Sequence, residues 1–162
     1  MWEGSEQIEI NAPLERVWEI VTDLHGHVRL AGSGEVRSID NLSGPLAIGT
    51  TWESAEQVPK AGTFIAHSRI TQLDAPKIVA WVSFPPPLSK RRPAESQIEA
   101  HWRFELSRSG TGTIVEHTFR VVEPKVGAGK LKMFHMLTGR VKVIERGMKK
   151  TLENLRQAAE QT

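Results

Sequence analysis

Hydrophobic positions in this chain first alternate, then step by threes and fours, then alternate again over most of the length, and finally return to helical spacing. Residues 6–10 alternate, with Ile8 and Ile10 on one face, and predict a short strand. Beyond it Leu14, Val17, Trp18, Val21 and Leu24 fall on one helical stripe. Asn11 is placed to cap that helix, and Pro13 stands where its missing N–H costs nothing. Glu15 lies in the first turn, favourably for the helix dipole. The stripe stops near Leu24, which leaves His25–Gly34 as a second short helix or a loop.

Strand-like segments follow near 35–42, 49–57, 63–73, 78–84, 95–106 and 112–123. Turn residues separate them: Ser43-Gly44-Pro45, Pro59-Lys60-Ala61-Gly62, Asp74-Ala75-Pro76, the Pro85–Pro93 loop and Ser109-Gly110-Thr111-Gly112. Connections this short favour antiparallel neighbours, because a parallel pair needs a crossover of about a dozen residues. Two segments show their faces. In 97–106, Ile98, Ala100, Trp102, Phe104 and Leu106 lie opposite Gln97, Glu99, His101, Arg103 and Glu105. In 113–121, Val115, His117, Phe119 and Val121 lie opposite Ile114, Glu116, Thr118 and Arg120. Such alternation predicts one packed face and one solvated face. Segment 78–84 is apolar at nearly every residue, so its pattern assigns no face.

From about Lys130 to Gln161 the spacing is helical again, through Phe134, Leu137, Val141, Ile144, Met148, Leu152, Leu155 and Ala159. A single helix of this length spans about 45 Å, enough to cross a whole sheet. Gly139 and Gly147 lie inside it at about 1 kcal/mol each relative to alanine, which points to a close approach to the sheet or a bend over a cavity. A curved sheet crossed by such a helix encloses apolar space, and enclosed apolar space is where small molecules bind.

Composition narrows the field. At 162 residues, 39% hydrophobic and 25% charged, the chain reads as one ordered domain over 1–162. Its net charge of +2 is too small to argue for nucleic acid or an anionic membrane as a partner. There is no cysteine, which removes disulfides, thiolate metal sites and cysteine nucleophiles, and leans the compartment toward the cytoplasm. MWEGSEQIEI lacks the basic start and apolar run of a signal peptide. The longest apolar stretch, IVAWVSF, is far short of the ~20 residues of a membrane helix, so no integral membrane association is expected.

Five pieces of the chain, in order, carry a resemblance: IEINAPLERVWEIVTDL, PLAIGTTWE, RITQLDAPKIVAW, HWRFELSRSGTGTIVEHTF and RVKVIERGMKKTLENLRQAAE. Together they resemble the START-like helix-grip (SRPBCC) superfamily and, within it, the polyketide cyclase/dehydrase-like branch. The resemblance implies an α+β helix-grip fold in β-α-α-β6-α order. A seven-stranded curved antiparallel sheet would wrap around a long C-terminal helix, with a cavity for a hydrophobic ligand between them. It does not fix an activity, since members bind lipids or plant metabolites, cyclise polyketides or assist chaperones. Leu24–Gly34 departs from the pattern, with histidines and glycines where relatives carry tryptophans and prolines.

Candidate chemistry centres on His117, which shares a face with Val115, Phe119 and Val121. A histidine in an apolar cavity can exchange a proton with a ligand carbonyl as a general acid or base; equally, it can be a core histidine bonded to a neighbour. Trp102, Phe104 and Phe119 are inward by parity, and Trp52 and Trp81 by the resemblance; with Phe134, Leu137 and Val141 of the final helix they offer walls for a ring-containing ligand or simply fill the core. Ser54, Glu56, Ser68 and Ser83 are small or polar candidates for orienting ligand oxygens. Glu56 would gain a raised pKa if buried, although its place near a strand end favours solvent. His25-Gly26-His27 resembles half a metal site with nothing to complete it, and Gly127-Ala128-Gly129-Lys130 fails the phosphate-loop pattern, so neither a metal nor a cofactor is expected. The reading is therefore a monomer or homodimer that binds a hydrophobic or aromatic, lipid- or polyketide-like molecule and has no nucleic-acid partner. The alternative is a polyketide cyclase/dehydratase working through His117.

Overall fold

A computed structural model describes residues 2–161. Seven antiparallel strands form one sheet: β1 (Trp2–Ile10), β2 (Val36–Asp40), β3 (Thr51–Val58), β4 (Gly62–Asp74), β5 (Ile78–Phe84), β6 (Glu99–Ser109) and β7 (Gly112–Val122). Their spatial order is β1-β7-β6-β5-β4-β3-β2, so the first strand closes one edge beside the last and every other neighbour is consecutive in sequence. Helices α1 (Leu14–Thr22) and α2 (His27–Leu30) follow β1; α3 (Ala128–Thr138) and α4 (Arg140–Glu160) end the chain. This is the helix-grip arrangement: an open antiparallel sheet gripping a C-terminal helix.

β1 is longer than the alternation of residues 6–10 alone predicts. Its inner face begins at Trp2 and continues through Gly4, Glu6, Ile8 and Ile10, with Ile10 fully buried. Helix α1 buries Leu14, Val17 and Val21, one stripe along two turns. The expected asparagine cap is not used. Pro13 is the N-cap residue, and its carbonyl accepts from the backbone N–H groups of Arg16 and Val17. Asn11 instead donates its backbone N–H to Glu160 Oε1 (2.8 Å), which ties the end of β1 to the end of α4.

The final helix is two helices, not one. Gly139 adopts φ 62°, a left-handed conformation that an L side chain pays about 1 kcal/mol or more to reach, and the helical ladder stops there. The hydrophobic stripe divides with it. In α4, Ile144, Met148, Leu152, Leu155 and Ala159 remain buried, each large side chain contributing about 1.5–3 kcal/mol of burial. In α3 only Leu131 is fully buried, and Leu137, expected on the inner stripe, is 75% exposed. Gly147 makes a close approach, but to Ser33 in the α2–β2 connection and not to the sheet. Facing it, a Cβ on Gly32 would lie 2.5 Å from the Gly147 carbonyl oxygen, so this helix–loop contact requires glycine.

The core divides around this geometry. One cluster joins α1, α2 and the lower half of α4 to Ile10, Trp52, Ile70, Trp81, Phe104, Leu106 and Val115. A second joins Leu131, Ile144 and Met148 to Phe119 and Val121, and Trp102 packs against both. The closest backbone approaches of α4 to the sheet are to β1 and β7, while β3, β4 and β5 lie further across the concave face.

Candidate functional site

The strand register sets the inward side chains in tiers. Trp52, Ser68, Ser83, Ala100, Val121 and Trp2 form one row; Ile70, Trp81, Trp102, Phe119 and Gly4 the next; Val79, Phe104, His117 and Glu6 a third. Segment 78–84, silent in its pattern, thus presents Val79, Trp81 and Ser83 inward. Ring contacts link these tiers into one arc. Trp52 meets Trp81 at 6.4 Å between centroids, Trp81 meets Phe104 at 6.0 Å, and Phe104 stacks on His117 at 4.0 Å and 8°. His117 stacks in turn on Trp102 (5.6 Å, 18°), Trp102 meets Phe119 at 4.2 Å, and Phe119 meets Trp2 edge-on at 4.9 Å.

His117 is buried within this arc. Its Nδ1 lies 3.1 Å from the Arg103 carbonyl oxygen, which can only accept, so Nδ1 carries the hydrogen and Nε2 the lone pair. Nε2 makes no hydrogen bond among the described residues, yet none of their solvent-sealed side-chain nitrogens or oxygens lacks a partner. Nε2 is therefore not completely sealed, although His117 as a whole is only 3% exposed. Burial lowers the His117 pKa to about 4, with the Arg103 hydrogen bond opposing that shift and nearby His27 adding to it. At neutral pH this imidazole accepts a proton or a hydrogen bond at Nε2 and does not donate there.

His27 is the residue that sequence reasoning placed least well. It is buried, and it packs on Trp81 at 5.3 Å, while His25 is exposed. Its Nε2 donates to the Val21 carbonyl (2.8 Å), and burial lowers its pKa. No group of three or more metal-ligating side chains is assembled among the described residues. Glu6 was also missed. It stands directly across from His117 on the inner face, where the alternation of β1 puts it, and lies 4.0 Å from Lys149 of α4.

At the end of the sheet where β2, β4 and β6 begin, polar side chains collect. Ser54 donates to Glu56 Oε1 (3.1 Å), and Ser68 and Ser83 share a hydrogen bond of 2.7 Å. Glu56 is half-buried rather than solvated; burial raises its pKa, the Ser54 hydroxyl opposes this, Glu35 raises it further and Arg140 lowers it. Arg140, the first residue of α4, forms a two-pronged ion pair with Glu35, one prong at 2.8 Å, with both side chains mostly shielded (16% and 12% exposed). Phe134 and His135 of α3 and Val141 of α4 are half-buried, whereas Leu137 is exposed. The structure thus brings Trp52, Trp81, Trp102, Phe104, His117 and Phe119 together, puts Ser68 and Glu56 toward the rim, and leaves Leu137 outside.

Two open grooves mark the surface. One of about 350 Å³ is bordered by Glu53, His67, Arg69 and Phe84 and also by Trp52 and Ser68 of the first row; the other, about 610 Å³, runs between α4 and the β6–β7 turn past Glu9, Glu153 and Glu160. Neither is lined by His117, Trp81 or Trp102. None of the inward positions of the tiers is lysine or arginine. Fold and lining together define a helix-grip protein whose inner face is an aromatic arc interrupted by one neutral histidine.

The comparisons agree with that class. Residues 1–160 match the family model described as polyketide cyclase / dehydrase and lipid transport, and the chain belongs to that family. No curated protein matches the chain by sequence. Among solved structures, Zhui aromatase/cyclase from Streptomyces sp. R1128 is similar with a TM-score of 0.67 at 16% identity, over 98% of this chain and 93% of that one. A protein from Thermus thermophilus is similar with a TM-score of 0.66 at 16% identity, over 98% and 97%. The di-domain ARO/CYC BexL of the BE-7585A biosynthetic pathway is similar with a TM-score of 0.58 at 14% identity, the chain spanning 50% of it. At these identities the likeness establishes the shared fold. No helix among the described residues is long and apolar enough to cross a membrane.

Proposed function

We propose that this protein binds an uncharged, ring-containing small molecule between the inner face of the sheet and α4, with a ligand hydroxyl donating to His117 Nε2. The observation that carries the proposal is His117 itself, held flat between Phe104 and Trp102 with its protonated nitrogen committed to the backbone and its Nε2 lone pair without a hydrogen-bond partner among the described residues. Aromatic walls favour a flat ligand by offset stacking, about 0.5–1.5 kcal/mol per ring pair beyond area burial. A neutral lone pair with no cation on the inward tiers favours a phenol or enol over a carboxylate. Native mass spectrometry of the purified protein, followed by calorimetric titration with 2-naphthol and 2-naphthoate, tests this. The expected result is a preference for the naphthol of roughly tenfold or more, equivalent to about 1.4 kcal/mol. Equal affinity for the two, or binding undiminished in His117→Phe, would overturn it.

A second reading is favoured by the family and by the aromatase/cyclase neighbours. Here His117 acts as a general base on a polyketide-like chain, Nε2 taking a proton from an acidic carbon or hydroxyl while the aromatic arc holds the chain folded. Turnover of such a substrate, lost in His117→Phe with binding retained, separates this reading from simple carriage.

A further inference from the structure

The structure assigns a second surface, on the outer face of α3 and the adjoining β5–β6 loop, that we infer docks on an anionic lipid bilayer. Helix α3 is two-faced in an unusual sense. Leu131, Phe134, His135 and Thr138 turn toward the protein, while Met133, Met136 and Leu137, at i, i+3 and i+4, form a contiguous apolar face that is 61%, 75% and 75% exposed. Exposed apolar clusters of this kind mark a contact surface more often than chance. The β5–β6 loop lies beside it: Leu88, itself exposed, packs against Gly127, and the Val126 N–H donates to the Glu95 carbonyl at 2.8 Å. That loop is braced from within by Ser96, fully buried, whose hydroxyl donates toward the Arg92 carbonyl (2.8 Å) and accepts from the Ser89 N–H (2.9 Å).

Charge decides what the face fits. Residues 85–98 and 123–138 hold six lysines and arginines against two glutamates, +4, while the whole chain carries only +2. Lys90, Arg91, Lys125, Lys130 and Lys132 are all exposed, Arg92 is paired with Glu95, and α3 contains no acidic residue. A second copy docked through the same face would set +4 against +4, which argues against self-association there. Methionine and leucine flanked by flexible lysines, on a helix about 16 Å long, are instead the composition of a segment lying in the headgroup layer. The left-handed glycines Gly127 and Gly139 bound α3 at both ends, so the helix is a discrete element at the end of the sheet where the polar rim collects. The docking does not rest on the identity of the internal ligand.

Flotation with vesicles containing one phosphatidylglycerol per two phosphatidylcholines, compared with pure phosphatidylcholine, tests it. Binding is expected to the anionic vesicles at about 0.05 M salt, weakened roughly tenfold or more on neutral vesicles and at about 0.5 M salt. A Met133→Ser/Met136→Ser/Leu137→Ser triple variant and a Lys130→Glu/Lys132→Glu double variant should each lose roughly tenfold, with wild-type circular dichroism, since every changed side chain is exposed. Absence of anionic-vesicle binding, binding unchanged in both variants, or a concentration-dependent dimer dissolved by the triple variant would each overturn the inference.

Discussion

Lowering the pH from 7.5 to about 5 should weaken the fold by about 2 kcal/mol through His117 alone. In the native protein this imidazole titrates at about 4 because burial penalises its charged form. In the unfolded chain it titrates near the ordinary value of about 6.5. Between these values the unfolded state binds a proton that the native state refuses, so stability rises with pH across the window. The contribution is complete above about 6.5 and is lost as pH falls toward about 4. His27, also buried with a lowered pKa, acts in the same direction, and Glu56, with a raised pKa, acts in the opposite one. A variant comparison isolates His117 from both. Urea unfolding of the wild type and of His117→Phe, which keeps a ring between Phe104 and Trp102, should show a drop between the two pH values about 2 kcal/mol smaller in the variant. Equal drops in the two proteins would refute the claim that His117 is held neutral.

Other perturbations test the frame around the site. Gly32→Ala forces a Cβ to 2.5 Å from the Gly147 carbonyl and the α4 backbone, and should cost about 2 kcal/mol or more in thermal unfolding, clearly above Gly139→Ala at about 1–2 kcal/mol. Breaking the shielded pair by Arg140→Met should cost about 2–3 kcal/mol, because Glu35 is left uncompensated, and adding Glu35→Gln should recover part of it in a double-mutant cycle. Ser68→Ala should cost about 1 kcal/mol by stranding the Ser83 hydroxyl, and the Ser68→Ala/Ser83→Ala pair should cost less than the sum of the single changes, read by denaturant midpoints.

Alternation made the inner faces of β6 and β7 legible, because a period of two leaves no choice once Trp102, Phe104 and Phe119 must be covered. His117 was placed inward on the same ground. Other features left weaker marks. The break at Gly139 is invisible to a periodicity argument, since Phe134, Leu137 and Val141 continue the stripe across it and a lone glycine is tolerated in helices. The break coincides with a tertiary contact that no local pattern encodes: Arg140 pairs with Glu35, 105 residues away in sequence. His27 lies on a single helical turn, too short to show a period, so its burial against Trp81 could not be read. Glu6 and Trp2 were readable: the alternation WEGSEQIEI extends back to Trp2, and following it would have placed a carboxylate across from His117.

Long-range proton–nitrogen correlation spectra of the histidine rings, recorded during titration with 2-naphthol, report on whether a ligand reaches His117. The His117 Nε2 signal should move as its lone pair takes up a hydrogen bond, together with the indole N–H signals of Trp81 and Trp102, while exposed His67 and His25 stay fixed. If only His67 and its neighbours on the smaller groove respond, or no ring nitrogen does, the space behind the aromatic arc does not receive a ligand.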